Sequence, residues 1–292
     1  MRVGWLGLGA MGGPMAACLS RAGHEVSGYD LDPARMSALA AAGGSAAASA
    51  RAAVTGAEAV VVMVATPAQV EEVLFGERGA AASLAPDAVV ALMATVGPEA
   101  VVDWARRLAA LGVELIDAPV SGGTGRAATG DLLIMASGAP APLAALAPLL
   151  DALARQAPTV GPAPGDGQRM KLVNQLLCGV HIAAAAEALA FAEAAGLDAR
   201  ACWETVRHGA AASFMLDDRG ERMLAETHDD VRSALDVFVK DMDLVLRTAR
   251  AHGFEAPLAG AAQRRYEAGA RAGLGRRDDS VLIEIARGGG VA

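Results

Sequence analysis

The sequence predicts an α/β protein with two parts, a doubly wound, mainly parallel sheet followed by an all-α C-terminal domain. Three observations predict this fold class. Short runs rich in β-branched residues alternate with helical patterns through the first half of the 292 residues. One of these runs, Val60–Val64, is apolar throughout, which is typical of a parallel strand covered on both faces. After residue 161 the pattern is helical only.

The elements of the first half follow from this alternation. Because helices connect successive strands, we expect right-handed crossovers. The predicted strands are Arg2–Leu6, Glu25–Tyr29, Ala59–Val64, Ala88–Leu92, Val113–Asp117 and Leu132–Ala136, and the predicted helices cover residues 11–22, 33–42, 67–75, 98–111 and 140–155.

A cluster of proline and glycine at residues 161–167 predicts the boundary between two domains, residues 1–161 and 162–292. The first helix of the second domain is predicted to run from Gln168 to Ala195 and to stop at Gly196. Further helices are predicted over residues 199–208, 213–225, 231–252, 257–272 and 279–287.

The composition argues against several classes of function. A net charge of −8 and a pI of about 5.2 give no basic surface for nucleic acid. Three cysteines without a CxxC pair predict neither disulfides nor a zinc site and fit a reducing cytoplasm. The long apolar run of residues 176–195 carries His181, Glu187 and Glu193, so we interpret it as a buried helix and not as a membrane span.

A GxGxxG motif lies between the first predicted strand and the first predicted helix. In this setting the glycines permit a tight turn, a close approach of the backbone to a pyrophosphate and close packing of helix on strand. The helix N-terminus adds N–H groups and partial positive charge. The motif therefore predicts a Rossmann-type site for NAD, with NADP as the alternative. Its residues are Gly7, Leu8, Gly9, Ala10, Met11 and Gly12.

Asp30 follows the second predicted strand, 18 residues after Gly12. A carboxylate at this place accepts hydrogen bonds from the ribose diol of adenosine and repels a 2′-phosphate. The next arginine, Arg35, is five residues further on, so the sequence favours NAD over NADP. A turn-capping role for Asp30 is the alternative interpretation.

Two more loops follow predicted strands. Val64 and Ala65 end one strand at the usual place for a loop beside the cofactor. Thr95 follows the next strand. It either places a hydroxyl near the nicotinamide ribose or caps the helix that begins at Pro98.

A Ser-Gly-Gly turn follows the strand that ends at Asp117. Its residues, Ser121, Gly122 and Gly123, present a hydroxyl and successive backbone amides, which suit a carboxylate. An ordinary glycine-rich turn has the same composition, so both interpretations stay open at this point.

The predicted helix 168–195 is apolar along most of its length and carries a short polar patch. The face predicted to lie in the core consists of Leu172, Val173, Leu176, Leu177 and Val180, and the polar face consists of Lys171, Asn174, Gln175 and Cys178. Because the rest of the helix is predicted to be buried, the polar patch needs partners or a cleft.

Lys171 is the candidate acid/base. Oxidation of an alcohol requires that the hydroxyl proton leave as hydride is transferred, and reduction requires its return. The ordinary lysine pKa of about 10.4 is high for a base, but burial and a nearby nicotinamide cation are expected to lower it. Asn174 can hold a substrate without adding charge. Lys240, in a second helical segment, is either a group over the cofactor or a solvent-facing charge.

In the order of these motifs the chain resembles the β-hydroxyacid dehydrogenase family, which includes 3-hydroxyisobutyrate dehydrogenases, tartronate semialdehyde reductases and L-threonate dehydrogenases. The resemblance covers nearly the whole chain. Its four motifs are the glycine-rich segment 7–12 with Met15-Ala16, Asp117–Gly123 with Gly130, Lys171–Gln175, and Phe238–Asp241.

The resemblance implies that Lys171 is the catalytic acid/base and that Thr95 and Lys240 contact the cofactor. It also implies that the substrate, a small hydroxy acid, is bound by Ser121, Gly122, Gly123 and Asn174. A Rossmann domain, a helical domain and assembly as a homodimer or homotetramer are the further implications.

The chain departs from some related families. Val173 stands where 6-phosphogluconate dehydrogenases have histidine, which disfavours decarboxylation of a sugar phosphate, and Lys171 argues against an imine reductase. Arg126, where relatives often have a small residue, is either a ligand for a polyhydroxylated or dicarboxylic substrate or a surface charge. Arg126 and the segment Gly275–Ser280 are most similar to the L-threonate dehydrogenase branch.

A catalytically silent NAD-binding scaffold and a metal-dependent enzyme are the other interpretations. The scaffold has no need of Lys171, Asn174 and Lys240 together. The five histidines lack metal-ligand spacing, so no metal is predicted.

Overall fold

The computed structural model describes residues 1–288. It divides after Lys171 into two compact units, Met1–Lys171 and Leu172–Ala292. The first unit contains all the strands of the described residues, and the second consists of helices.

The first unit is built on a twisted sheet with the strand order β11-β9-β6-β5-β4-β1-β2-β3. Every pair of neighbours is parallel except β6 and β9. A second sheet has the order β10-β8-β7. The strands are β1 Arg2–Leu6, β2 Glu25–Tyr29, β3 Ser45–Ala46, β4 Ala59–Val62, β5 Val89–Leu92, β6 Glu114–Asp117, β7 Val120–Ser121, β8 Leu132–Ile134, β9 Ala136–Ser137, β10 Ala154–Gln156 and β11 Thr159–Gly161.

Helices cover both faces of the large sheet, which confirms the doubly wound α/β prediction. In β4, Val61 packs into one apolar core with Trp5, whereas Val60 and Val62 pack into the other core with Trp104. This alternation explains why a strand buried on both faces is apolar throughout. The helices are α1 Gly12–Arg21, α2 Pro33–Ala41, α3 Ala50–Val54, α4 Pro67–Phe75, α5 Pro98–Ala109, α6 Gly123–Thr129 and α7 Pro140–Leu153.

The structure corrects one predicted strand and adds short elements. Residues 132–136 form not one strand but two, β8 and β9, which belong to different sheets. A run of apolar residues cannot reveal such a change, because both short strands are buried. β3, β7, β10, β11, α3 and α6 were not predicted, and β4 ends at Val62 rather than Val64.

The second unit is helical and packs around the second part of α8, the helix Asp166–Ala194. Its core includes Leu189, Met223, Met242 and Tyr266. α8 stops as predicted: Gly196 has a φ of +76°, and the amide of the next residue bonds back into the helix. The remaining helices are α9 Ala199–Val206, α10 Phe214–Ala225, α11 Leu235–Ala251, α12 Pro257–Arg271 and α13 Leu282–Arg287.

The predicted core face of α8 is partly wrong. Leu172 is buried, but Val173 and Leu177 are 61% and 50% exposed, whereas Lys171 and Gln175 on the polar face are buried. The polar side chains find partners inside the protein, and part of the apolar face lies outside the core of the chain.

By length and composition, α8 alone among the helices of residues 1–288 could cross a bilayer. Core helices of soluble proteins pass the same test. Ile182, Ala185 and Leu189 are buried in the core of the second unit.

A cluster of opposite charges is buried in the second unit. Arg219 donates to both carboxylate oxygens of Asp279 at 3.1 and 2.9 Å, and Arg222 binds Asp278. Asp278 also accepts from the backbone amides of Arg232 and Ser233. The segment Gly275–Ser280, which resembles the L-threonate dehydrogenase branch, therefore supplies internal ion pairs.

Candidate active site

The glycine-rich loop lies between β1 and α1, as predicted. Gly7 has a φ of +97°, and a Cβ there would lie 2.9 Å from Val64 Cγ1. A Cβ on Gly12 would lie 3.2 Å from the indole nitrogen of Trp5 and would strike the carbonyl oxygen of Gly7. That indole donates to the same carbonyl at 2.8 Å, so Trp5, which sequence reasoning did not single out, anchors the loop.

The middle glycine of the motif faces open space. Apart from its neighbours in sequence, a Cβ on Gly9 would meet one group of residues 1–288 within 4 Å, the guanidinium of Arg35 at 3.8 Å. The first and third glycines are therefore required by packing, while the second leaves the backbone accessible. A dinucleotide pyrophosphate needs this combination, so the loop fits NAD(P). The six predicted residues, Gly7, Leu8, Gly9, Ala10, Met11 and Gly12, all lie in this loop or at the start of α1.

Asp30 lies beside this loop. Its Oδ2 accepts from the Leu8 amide at 2.7 Å, and its Oδ1 accepts from the Asp32 amide at 2.9 Å. The second bond is the turn cap considered as the alternative. Arg35 lies 3.5 Å from Oδ1. The carboxylate thus connects the glycine loop to the end of β2, where an adenosine ribose would bind.

The loop after β4 begins a helix with a capping box. Thr66 accepts from the Gln69 amide at 3.2 Å, and the Gln69 side chain accepts from the amides of Ala65 and Thr66. Thr-Pro-Ala-Gln has the spacing of a capping box, so this feature was visible in the sequence. Val64 contacts the glycine loop, whereas the Ala65 amide is bound within its own turn.

Thr95 lies two residues before Gly97, the N-cap of α5. It is half-buried in the loop that follows β5, at the carboxyl edge of the sheet.

The Ser121 turn connects β7 to α6. Gly122 and Gly123 have φ values of +143° and +78°, which side chains rarely adopt, so the turn requires glycine at both positions. The stem of Arg126 packs over Gly122, because a Cβ there would lie 3.1 Å from Arg126 Cδ. The Arg126 guanidinium lies 3.6 Å from Asp131, and both side chains are about 40% exposed.

Lys171 lies in α8, five residues after its start, and is only 6% exposed. The chain contains two lysines, Lys171 and Lys240, among 292 residues, and its other basic side chains are arginine or histidine. Arginine stays protonated in proteins, so these are the two side-chain amines of the sequence that can release a proton.

A buried amide and a buried carboxylate join the start of α8 to the ends of two strands. Gln168 donates to Asp117 Oδ1 at 2.7 Å, and Asp117 Oδ2 accepts from the amides of Gly165 and Gln168 at 2.9 Å each. Burial raises the pKa of Asp117, while its bonds to Gln168 and Gly165 act in the opposite direction. Sequence reasoning missed this pair, because its members are 51 residues apart.

The same glutamine binds the loop after β5. Its Oε1 accepts from the amides of Val96 and Gly97 at 2.9 and 3.2 Å, and its Nε2 donates to the Ala94 carbonyl at 3.1 Å. The end of the Gly-Pro-rich segment 161–167 is therefore held against the sheet of the first unit, since Gly165, Gly167 and Gln168 are all buried.

In the second unit, hydrogen bonds connect the two remaining motifs. Asn174 Nδ2 donates to Gln175 Oε1 at 2.9 Å, and Gln175 donates to buried Asp241. Asp241 in turn holds the ammonium of Lys240 at 2.7 Å. Lys240 is 24% exposed, so it is neither deeply buried nor a free surface charge. No pattern in the sequence indicates that Gln175 and Asp241 are partners.

Within residues 1–288, no group of three or more histidine, cysteine or acidic side chains is arranged to hold a metal ion.

Comparison with known proteins relates both parts of the chain to dehydrogenases. Residues 2–161 match the family described as the NAD binding domain of 6-phosphogluconate dehydrogenase. Residues 165–286 match the family described as NAD-binding of NADP-dependent 3-hydroxyisobutyrate dehydrogenase. An L-threonate dehydrogenase of Cupriavidus necator is 42% identical over 284 residues, which are 97% of this chain and 95% of that protein.

Two more proteins extend the comparison. A 2-hydroxy-3-oxopropionate reductase of Escherichia coli is 34% identical, over 97% of this chain and 96% of that protein. The crystal structure of a 3-hydroxyisobutyrate dehydrogenase from Salmonella typhimurium superposes with a TM-score of 0.91 at 41% identity, covering 97% of this chain and 99% of that one.

The fold, the glycine loop and these relatives define an NAD(P)-dependent oxidoreductase that acts on a CH–OH group. The chain belongs to the β-hydroxyacid dehydrogenase family, of the 3-hydroxyisobutyrate dehydrogenase type, and within it to the L-threonate dehydrogenase branch. The sequence-based expectations of fold class, family and enzyme class are confirmed.

Proposed function

We propose that this protein oxidises a small hydroxy acid of the L-threonate type, with NAD as the preferred acceptor and Lys171 as the acid/base. The burial of Lys171 is the observation that carries the proposal. A lysine side chain that is only 6% exposed is unusual, because burying an ammonium costs free energy that its partners must offset, and a side chain directed into bulk water would have ended the proposal.

The chemistry divides between the cofactor and the chain. Bound NAD supplies the acceptor for the hydride that leaves the hydroxyl-bearing carbon. Lys171, in its neutral form, accepts the hydroxyl proton at Nζ as the carbonyl forms, and it returns that proton in the reverse direction. The products are the oxo acid, NADH and a protonated lysine, so protons and electrons balance.

The substrate contacts are assigned to polar groups whose charge does not change near neutral pH. Ser121 and the amides of Gly122 and Gly123 are proposed to bind the carboxylate, and Asn174 the reacting hydroxyl. Arg126 is proposed to bind an additional hydroxyl of the substrate. Its Nε lies 3.6 Å from Asp131, and both side chains are about 40% exposed, so this ion pair contributes little energy.

The cofactor contacts are assigned to the glycine loop Gly7–Gly12, Val64, Ala65, Thr95 and Lys240. Asp30 supports the preference for NAD, because its carboxylate lies at the end of β2, where it would face a 2′-phosphate. Arg35 beside it reduces that repulsion, so NADP is expected to be a poorer cofactor but still usable.

A homodimer or homotetramer is proposed from the apolar side chains that α8 exposes. Val173, Leu177 and Phe191 are each at least half exposed, and such a patch is typical of a surface covered by a second copy. The cytoplasm is the proposed location, which the cysteine usage of the sequence supports, with three cysteines and no CxxC motif.

A substrate panel tests the proposal. NADH formation is followed at the nicotinamide absorbance band with L-threonate, D-threonate, 3-hydroxyisobutyrate and glycerate. We expect L-threonate to give the highest kcat/KM with NAD. Tight NADH binding without turnover of any of these acids would instead support a catalytically silent scaffold.

A further inference from the structure

The buried side chain of Gln168 uses its complete hydrogen-bonding capacity. Its two N–H groups go to the Ala94 carbonyl and to Asp117, and its oxygen takes the amides of Val96 and Gly97. A side-chain amide offers two donors and two acceptor sites, so none is left over. Such full satisfaction of a buried amide fixes its orientation and that of its partners.

The hydrogen bonds from Gln168 to the loop after β5 lie on both sides of one residue, Thr95. The Ala94 carbonyl precedes Thr95, and the amides of Val96 and Gly97 follow it. The backbone on both sides of Thr95 is therefore held by a single side chain, although Gln168 is more than 70 residues away in the chain. This loop has no other regular structure until α5 begins at Pro98.

The bonds to Asp117 fix the beginning of α8. Asp117 ends β6, and its carboxylate accepts from the amide of Gly165, just before α8, and from the amide of Gln168 in the first turn of that helix. A Cβ on Gly167 would lie 2.8 Å from the Asp117 carbonyl oxygen, so helix and strand are in direct backbone contact. Lys171 follows Gln168 by three residues, which is less than one turn of the same helix.

We infer that Gln168 is a positioning residue, which with Asp117 holds the Thr95 loop and the Lys171 turn of α8 in one fixed geometry. The inference rests on the proposed role of Lys171 and names a residue that does not itself touch the substrate. Hydride transfer tolerates little displacement, and a misplacement of about 1 Å can reduce turnover roughly 100-fold.

The donor–acceptor pattern supplies a stringent test. Gln168→Glu places a carboxylate against Asp117. Asp117→Asn turns an N–H group either to the N–H group of the Gln168 side chain or to the backbone amides of Gly165 and Gln168, so each single substitution disrupts the network. In the double variant, the introduced asparagine donates to the introduced glutamate, and the acceptor for the amides of Val96 and Gly97 is retained. Only the Ala94 carbonyl loses its partner.

The effect on the reaction is measured as kcat per folded molecule. We expect each single variant to lose about 10- to 100-fold in kcat and to bind NADH more weakly, because the Thr95 loop is displaced, and we expect the double variant to recover most of both losses. Val113→Ala is the matched control. It removes buried apolar volume at the opposite end of β6, so it lowers the melting temperature without touching this network.

A second readout does not depend on turnover. Because the chain has only two lysines, protein labelled at the lysine side chains gives two NMR signals, which the Lys240→Arg variant assigns. We expect the Lys171 signal to shift in both single variants, to return in the double variant and to stay in place in Val113→Ala. The Lys240 signal serves as the internal reference.

Hydrogen exchange completes the test. In Gln168→Met the amides of Val96 and Gly97 lose their acceptor, so we expect faster exchange at these positions. An unmoved Lys171 signal and unchanged exchange would overturn the inference. If the wild type fails to oxidise any hydroxy acid while the signal and the exchange behave as stated, the proposed function fails and the positioning by Gln168 stands.

Discussion

Both units bury charged and amide side chains, but the partners differ. In the first unit Asp117 and Gln168 bind backbone groups at the carboxyl edge of the sheet. In the second unit Arg219 and Arg222 form buried ion pairs with Asp279 and Asp278, respectively. The first arrangement orients loops, whereas the second connects α10 to the segment before α13.

The difference has an energetic basis. A buried ion pair rarely adds net stability, but the loss of one partner leaves an uncompensated charge. A hydrogen bond from a buried polar side chain to the backbone contributes about 1 kcal/mol net, and it fixes the orientation of both partners. We therefore expect substitutions in the second unit's cluster to reduce stability, and substitutions near α8's first turn to reduce turnover.

The largest effect is expected for Lys171→Met. Removal of a general acid/base typically costs about 10²- to 10⁴-fold, so kcat should fall by this factor while NADH binding, measured by fluorescence, is little changed. Arg169→Met is the matched control, because Arg169 is exposed two residues earlier in α8 and pairs with Asp166 near the helix start. Wild-type turnover by Lys171→Met would defeat the assignment.

The next largest effect is expected in the second unit. Arg219→Met removes both hydrogen bonds to buried Asp279 and leaves it only Arg222, at 3.8 Å, as an ion-pair partner among the described residues. The free energy of unfolding should fall by about 3–5 kcal/mol in denaturant titrations, with kcat unchanged below the transition. The exposed pair Arg271–Glu267 is the control, and Arg271→Met should cost less than about 1 kcal/mol. Equal losses in the two variants would remove the contrast between the clusters.

A smaller effect is expected at the cofactor loop. Asp30→Asn removes the charge that would oppose a 2′-phosphate, so the ratio of kcat/KM for NADP to that for NAD should rise about tenfold. Asp32→Asn removes one charge two residues away and keeps an oxygen to cap α2. The specificity assignment is wrong if both variants shift the ratio equally, or if the native protein uses both cofactors equally well.

The smallest effect is expected on stability when the pH is lowered below neutral. Burial lowers the pKa of His228 below its usual 6.5, so the neutral form is favoured in the folded state. The contribution of neutral His228 to the free energy of unfolding is fully present above pH 6.5, the pKa of an ordinary histidine. It is lost as the pH falls through the lower pKa that His228 has in the folded protein. Denaturant titrations between about pH 8 and pH 5 should show this decline, and His228→Gln should flatten it. An equally steep decline in His228→Gln would assign the acid sensitivity to other groups.

Asp278 acts at still lower pH. Burial opposes its ionisation, but the bond from Ser280, the charge of Arg222 and the backbone amides of Arg232 and Ser233 outweigh burial. The pKa of Asp278 therefore lies below its usual 3.8. Its contribution is present above pH 3.8 and disappears as the pH falls through the folded-state pKa.

Much of the fold was predictable because local patterns report local environment. The alternation of strands and helices, the glycine motif and the stop of α8 at Gly196 were all visible in the sequence. The split of residues 132–136 between two sheets was not, since both short strands have the same apolar pattern.

The sequence predicted which residues belong to the site, but not which of them bind each other. Lys171 and Gln175 were placed on a polar patch that needs partners or a cleft, but the sequence did not show which partners they have, or that Val173 and Leu177 are exposed. The decisive bonds, Gln175 to Asp241 and Gln168 to Asp117, connect residues 66 and 51 positions apart. Such distant pairings follow from tertiary structure alone. The roles of the site residues stay predictions until the variants are measured.

The scarcity of lysine has a practical consequence. Amine-directed reagents usually attach to a protein at many surface positions and give mixed products. Here one of the two side-chain amines is enclosed and the other is held against a carboxylate, so dyes, resins and crosslinkers will find almost no lysine to react with on the outer surface. A single lysine introduced on an exposed helix would then be the most accessible side-chain amine, so attachment through lysine would be oriented.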